Sequence, residues 1–498
     1  MWIQHTVSDY LYQIVLVSTV FVLGRYYIGW RRWSNVPPGP QPLPFLGNIG
    51  YLRSKDQLQT FRRLRKLFGD VFSLRFGNNL FVIFNGYDTL KEAFIRNGDV
   101  FSDRPKTYLM DLMSRGRGIS GSSGTTWKET RSFTITALRE FGFGKKSMET
   151  KLMEEVDAFL AAIHNTNGEP FDIKNTSYTS VSNVICSLIF GHRFDHGDKT
   201  FETLLDLLDQ NFKLIGHTGI LGIVPFLRYL PGDLFGAKRL IKNTVEIKKF
   251  FVDQVESHRK IFDETNINDF TDAFLKEQRK HTDETGAIFT DDNLTTLIGN
   301  LFSAGTETTA TTIRWAVLYL IHYRDIQDRL RQEIDQVIGR SRVPSISDKE
   351  NMPFFEAFIV EVLRHANIVP LSVAHGSARD TMFRGFFIPG GSILVPNLDS
   401  VVNDPKLFQH PDTFCPSRYI GDDGKVTGCD KVTAFSVGRR LCPGEALAKM
   451  ELFLFLTSLI QNFRLIPDDP KCLPSLQGIM GMTRSPKPFK LRAIKLYT

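Results

Sequence analysis

Apolar positions recur along most of this chain at intervals of three and four. FRRLRKLFG (61–69), LKEAFIRNG (90–98) and ETKLMEEVDAFLAAI (149–163) each carry a one-sided apolar stripe, the period of a helix laid against a core. Strict alternation is rarer. VFSLRFG followed by NNLFVIFN (71–85) predicts a β-hairpin, and LRAIKLY (491–497) a terminal strand. No internal repeat is visible, and strands do not alternate with helices as in a parallel α/β sheet. The pattern predicts a mainly α fold with a small β portion.

Two stretches are apolar beyond what one helix face needs. Residues 292–323, DNLTTLIGNLFSAGTETTATTIRWAVLYLIHY, read as a single helix of about 32 residues, ~48 Å long at 1.5 Å per residue. Much of it is apolar all round, so it should run through the core. The other stretch is YLYQIVLVSTVFVL (10–23), which with GRYYIGW makes about 21 residues, enough to cross ~30 Å of hydrocarbon. Arg31 and Arg32 follow it, and Tyr26, Tyr27, Trp30 and Trp33 suit a headgroup belt, which keeps the rest of the chain cytosolic. A cleaved signal peptide needs a basic start and a small-residue cleavage site, and neither is clear. Arg25 interrupts the span, so a helix lying in the interface stays open.

VPPGPQPLP then removes backbone donors and fixes φ repeatedly, which makes a stiff, extended join. The expected division is an anchor over 1–34, a proline-rich hinge over 35–49 and one globular domain over 50–498.

Composition narrows the classes. With 42% hydrophobic residues and 41 phenylalanines there is material for a large core or a greasy pocket. Net charge is +7, yet no basic run, finger or basic-helix pattern accompanies it, which argues against nucleic acid. Five cysteines, Cys186, Cys415, Cys429, Cys442 and Cys472, include no CxxC pair, so neither a disulfide framework nor a zinc site is expected. GRGISG (116–121) fits a dinucleotide fingerprint, but no strand precedes it and a Gly/Ser loop follows.

FSVGRRLCPG (435–444) carries the chemistry. Cys442 precedes PGEALAKMELFLFLTSLI, an apolar-faced helix with Pro443 and Glu445 at its start. A cysteine at a helix N-terminus is expected to have a lowered pKa and to serve as a thiolate. Gly438 permits a turn with φ > 0, Gly444 lets a flat ring approach, Phe435 can shield the sulfur, and Arg440 offers a guanidinium to a carboxylate. A buried free cysteine would explain Cys442 alone but not its company. The spacing Phe-x-x-Gly-x-Arg-x-Cys-x-Gly resembles the haem-thiolate loop of the cytochromes P-450, most nearly the microsomal family-2 branch.

That resemblance covers essentially the whole chain. It implies haem b with Cys442 as proximal iron ligand. On the long helix, Ala304-Gly305-Thr306-Glu307-Thr308 is similar to the family's oxygen-activating segment. There Thr308 hydrogen-bonds dioxygen and Glu307 relays protons, and the glycine, acid and hydroxyl together suggest a widened groove; a mid-helix threonine can also simply bond back to its i−4 carbonyl. Glu361 and Arg364 in EVLR, with Arg418 in FCPSRY, match a buried structural triad. Trp127 and Arg131 in WKETR, Arg104 in FSDRP, His375 in VAHG and Arg440 match haem-propionate contacts. Phe302, Ala304, Val369, Leu371, Ile479 and Met480 fall in substrate segments, and their apolar character implies a lipophilic substrate: steroid, fatty acid or xenobiotic. Phe408 departs from the tryptophan many relatives carry.

The implied reaction is RH + O2 + two electrons + two protons giving ROH and water. No flavin or nicotinamide motif is present, so an NADPH-dependent reductase should supply electrons, with cytochrome b5 competing for the same face. Lys128, Arg139, Lys145, Lys146, Arg439 and Lys449 are the candidate docking cations. The implied location is the endoplasmic reticulum membrane, single-pass, with the catalytic domain cytosolic. Two rivals remain: a peroxide isomerase of the same fold, against which the Glu307–Thr308 pair argues, and a non-enzymatic haem sensor.

Overall fold

The computed structural model describes residues 12–20, 24, 35–43, 47–53, 56–77, 79–222, 225–281 and 288–496. Most of the expected anchor lies outside these residues. Residues 12–20 are helical, with Tyr12, Ile14, Val15, Leu16, Val17 and Val20 exposed. No helix among the described residues is long and apolar enough to cross a membrane. The proline segment is extended and clamped: Ser73 donates from its backbone N–H to the Pro38 carbonyl (2.8 Å) and from its hydroxyl to Pro37 (2.7 Å). A Cβ at Gly39 would stand 2.0 Å from the Ser73 carbonyl oxygen, so this close approach requires glycine.

Helices dominate, and the long helix spans Asp291–His322. Thr290 caps it, accepting from the Asn293 N–H, and Asp291 and Asp292 occupy the first turn where the dipole favours anions. From Thr309 to Ile321 every residue is buried, as a helix apolar on all sides requires. Packed against it are Lys174–Ile189, Pro353–Ala366 and Glu445–Asn462, the last being the helix after Cys442. Gly305 sets one of these contacts. A Cβ there would meet Ile185 Cδ1 at 2.6 Å, so the glycine admits the neighbouring helix.

The hairpin is present as β1 (Val71–Phe76) and β2 (Asn79–Asn85). Beyond it come β3 (His375–Gly376), β4 (Thr381–Phe383), β5 (Phe386–Ile388), β6 (Ile393–Asn397), β7 (Phe463–Pro467), β8 (Gly478–Met480), β9 (Arg484–Pro486) and β10 (Leu491–Lys495). One sheet has the order β1-β2-β6-β3, with β2 parallel to β6 and the other pairs antiparallel. The remaining strands form three pairs, β4–β5, β7–β10 and β8–β9. Much of the phenylalanine goes into rigid clusters: Phe84 meets Phe94, Phe101 and Phe383 at centroid distances of 5.4–5.7 Å, the edge-to-face range that adds to burial.

Candidate active site

In the middle of the buried long helix, Ala304 is exposed and Thr308 half-buried, one turn apart on one face. A core helix opens one face only where a cleft lies beside it. Asn300, a turn earlier on that face, accepts from the backbone N–H (3.1 Å) and hydroxyl (2.8 Å) of Ser120. The Gly118 N–H donates to Asn293 Oδ1 at 2.8 Å, and a Cβ on Gly118 (φ 67°) would stand 2.3 Å from Asn300 Oδ1. The glycines of GRGISG thus bring a short turn, Gly118–Gly121, onto the long helix.

The carbonyls of that turn are taken by two arginines. Arg104 Nε donates to Ser120 O (2.8 Å) and its Nη1 to Val373 O and Ala374 O (3.0 and 2.8 Å). Arg440 donates to Ser102 O, Ile119 O and Ser122 O (2.8, 3.0 and 2.7 Å). The Arg440 guanidinium lies 3.9 Å from the Trp127 ring centroid, and that of Arg131 5.8 Å. Arg131 also donates to the Leu441 carbonyl at 2.7 Å, next to Cys442. No carboxylate pairs with Arg104, Arg131 or Arg440 among the described residues; Asp103 acts on Arg440 only through the field. Burial and mutual repulsion push Arg440 down to about 8 and Arg104 down to about 10. Trp127 Nε1–H is buried with no acceptor among the described residues.

Buried cations want anions. Here the cations and an orphaned indole donor converge with nothing acidic among the described residues to receive them. Arg104 keeps both Nη2 hydrogens uncommitted among the described residues, since a guanidinium has five and only Nε and Nη1 are engaged. An anion presenting two carboxylates would complete the site.

The Cys442 loop sits beside this cluster. Its N–H donates to the Phe435 carbonyl (3.0 Å), which closes the loop. Gly438 has φ 81°, and a Cβ there would lie 2.0 Å from the Phe94 carbonyl oxygen. A Cβ on Gly444 would project to 3.8 Å from Cys442 Sγ, into the space beside the sulfur. The helix proper begins at Glu445, with Gly444 as N-cap. Burial pushes the Cys442 thiol up, while the Gly444 and Glu445 N–H groups and Arg131 pull it down; burial wins. The lowering expected at a helix start is present in those two N–H bonds, and burial of the sulfur opposes it.

A family model described as cytochrome P450 matches residues 37–493. The chain belongs to the cytochrome P450 family. It is 38% identical to cytochrome P450 2C28 of Mesocricetus auratus, over 91% of this chain and 93% of that protein. It is 39% identical to cytochrome P450 2J2 of Homo sapiens (97% and 95%) and 36% identical to cytochrome P450 2E1 of Rattus norvegicus (97% and 97%). This P450 is accordingly a haem-thiolate monooxygenase, related to family-2 enzymes of this kind.

The structure brings Glu361, Arg364 and Arg418 together. Glu361 accepts two bonds from Arg364 (2.7 and 2.8 Å), one from Arg418 (3.2 Å) and one from the Cys415 N–H (2.8 Å). Phe408 is buried, with the Arg364 guanidinium 5.4 Å from its ring. His375 Nδ1 bonds the Phe101 carbonyl (2.7 Å), and because a carbonyl only accepts, Nδ1 carries the proton. Burial and the two arginines push His375 down to about 3, so its imidazole is neutral and Nε2 can donate only once an anion charges the ring.

Of the expected pocket residues, Ala304, Val369, Leu371, Ile479 and Met480 keep accessible surface. Phe302 does not. It is fully buried between Phe201 and Phe251 (centroids 6.1 and 5.4 Å), because two residues of helix turn it about 200° from Ala304. Lys128, Arg139, Lys145, Lys146 and Arg439 are exposed, while Lys449 is half-buried and paired with Glu445 at 2.7 Å.

Thr308 donates to the Ala304 carbonyl at 2.7 Å, the back-bond open to any mid-helix threonine. Glu307 is buried and accepts from Tyr178, Thr311 (3.2 Å) and Thr483 (2.7 Å). Sequence reasoning missed Tyr178, Thr483, Ser120 and Asn300. Only the run of small polar residues in SYTSVSN, at odds with a buried helix, could have pointed to Tyr178.

Proposed function

We propose that this P450 binds haem b through Cys442 and inserts one oxygen atom of O2 into a lipophilic substrate, with electrons from NADPH through a separate reductase. One observation carries the cofactor assignment: Arg104, Arg131, Arg440 and the Trp127 N–H cluster beside the cysteine loop without an acidic partner among the described residues. Haem carries two carboxylates on one edge and iron at its centre, which suits that arrangement. In this reading Arg104, Trp127, Arg131, His375 and Arg440 hold the carboxylates. Cys442 ligates the iron, with Phe435, Gly438 and Gly444 shaping the seat. Bound there, the haem supplies reductive activation of dioxygen, and a thiolate ligand favours O–O cleavage.

The remaining roles belong to side chains. Thr308 holds a hydroxyl on the cleft face; turning its O–H from the Ala304 carbonyl takes one rotation about Cβ–Oγ and presents a donor beside the reacting oxygen. Glu307, the neighbouring acid, takes up and gives the proton. Ala304, Val369, Leu371, Ile479 and Met480 bind the apolar substrate and keep water out. Glu361, Arg364 and Arg418 brace the chain leading to the cysteine loop. The exposed Lys128, Arg139, Lys145, Lys146 and Arg439 offer a reductase a basic face, for which cytochrome b5 competes. The family-2 relatives and the apolar 10–23 segment support an endoplasmic reticulum membrane location, with residues 1–34 as single-pass anchor and 50–498 cytosolic.

Reduction under carbon monoxide tests the centre of this. The intact protein is expected to give the strongly red-shifted absorption of a thiolate-ligated haem, and Cys442→Ala to lose it. A band that survives that substitution would assign the iron to another ligand.

A further inference from the structure

The acid of the long helix is held in an unusual way. Glu307 is 3% exposed and, among the described residues, pairs with no cation. Its carboxyl instead meets three neutral hydroxyls from three elements. Tyr178 on the helix Lys174–Ile189 donates to Oε2. Thr311, one turn along the long helix, and Thr483, in the turn between β8 and β9, donate to Oε1. Tyr178 is itself 2% exposed, and its oxygen lies 3.4 Å from Thr311 Oγ1.

Each alternative would fix the proton in one place. A buried arginine or lysine partner would hold the group as a carboxylate, and bare burial would hold it as an acid. An acid that must take up and release a proton in each turnover works best between those limits. Three neutral donors stabilise the anion without a fixed charge and so oppose the cost of burial.

We propose that Tyr178 is a positioning residue for proton delivery: its phenol, with Thr311 and Thr483, orients the carboxyl of Glu307, the residue before Thr308 in the chain, and sets how readily that carboxyl exchanges its proton. This rests on the proton-donor reading of Glu307 and Thr308 given above.

The surroundings agree in sign. Burial is the largest influence on Glu307 and raises its pKa; the bonds from Tyr178, Thr483 and Thr311 lower it, and the charge of Asp209 raises it. Asp209, on the helix Lys199–Thr218, is largely neutralised by Lys174 and Lys213 at 2.7 and 2.6 Å. Arg484, next to Thr483, is turned to the carbonyls of His365 and Ala366. Glu451, from the helix after Cys442, bonds Thr309 instead. The phenol is thus one of few groups able to move the balance, and its own pKa stays well above the usual value through burial and the Glu307 charge. It donates a hydrogen bond and keeps its proton.

The test uses the reductase-reconstituted holoenzyme with Tyr178→Phe, which keeps the ring, and Thr483→Val, which removes a second donor from another element. Coupling (product formed per NADPH) is measured against pH. The Glu307 carboxylic-acid C=O infrared band, identified by its loss in Glu307→Gln, is titrated in parallel without turnover. Losing a donor to the anion raises the carboxyl's pKa, so both midpoints should move to higher pH by about one unit in each variant, with the carbon monoxide band unchanged. A merely structural tyrosine would leave both midpoints in place. Unmoved midpoints in variants that retain the carbon monoxide band, while Glu307→Gln and Thr308→Ala still uncouple, would overturn the role of Tyr178 alone. If Glu307→Gln and Thr308→Ala both stay coupled, the proton-donor reading falls, and this inference with it.

Discussion

Replacing Glu361 with glutamine removes one charge from a site with no access to water. The side chains of Glu361 and Arg364 are both 0% exposed, and that of Arg418 is 12%. The carboxylate receives four donors: Arg364 Nε and Nη2, Arg418 Nε and the Cys415 N–H. An amide of the same shape offers one oxygen and turns an NH2 group toward guanidinium hydrogens. Arg364 would keep its bonds to the carbonyls of Val402 and Pro411 (2.9 and 2.8 Å) but lose its counter-charge. Breaking a buried pair on one side costs about 3–5 kcal/mol, a large part of the 5–15 kcal/mol typical of a folded domain. Urea unfolding followed by tryptophan fluorescence should show that loss for Glu361→Gln and a similar one for Arg364→Met. The double variant should cost less than their sum by about 2 kcal/mol or more. A single-variant loss under about 1 kcal/mol, or strict additivity, would refute a strong buried pair.

Three further outcomes follow from local geometry. Gly438→Ala places a Cβ 2.0 Å from the Phe94 carbonyl at φ 81°; haem content after purification should fall sharply, and normal content would mean the loop can shift. Gly305→Ala gains about 1 kcal/mol of helix propensity but drives a methyl to 2.6 Å from Ile185 Cδ1. It should be destabilising alone and be rescued by Ile185→Ala, as thermal unfolding of the four-member cycle can decide. Glu451 is 1% exposed and pushed up to about 8 by burial, against only a bond from Thr309. A raised carboxyl stabilises the fold most below its unfolded pKa, near 4.5, and loses that contribution as pH rises through 8. Glu451→Gln should remove a fall of up to about 1.4 kcal/mol per pH unit between those values, visible as a flatter stability–pH curve.

Periodicity and local chemistry carried a good deal of this far. The all-apolar span that became Asp291–His322 and the hairpin at β1–β2 needed only side-chain patterning, because one buries its whole circumference and the other alternates. Cys442, Gly438 and Arg440 were visible because the loop packs its requirements into ten residues. What escaped was whatever depends on neighbours distant in sequence. Gly305 owes its identity to Ile185, and the cage around Glu307 draws on positions 178 and 483. Phe302 was misjudged by proximity in sequence, since helix rotation sends it away from its neighbour Ala304.

The turn Gly118–Gly121 couples two parts of the molecule. Its carbonyls and those of its flank are tied to Arg104 and Arg440, and its Ser120 to Asn300, so one short segment joins the arginine cluster beside the cysteine loop to the open face of the long helix. A substitution that shifts this segment is therefore expected to disturb both ends of the tie at once, the cations on one side and the open face of the long helix on the other.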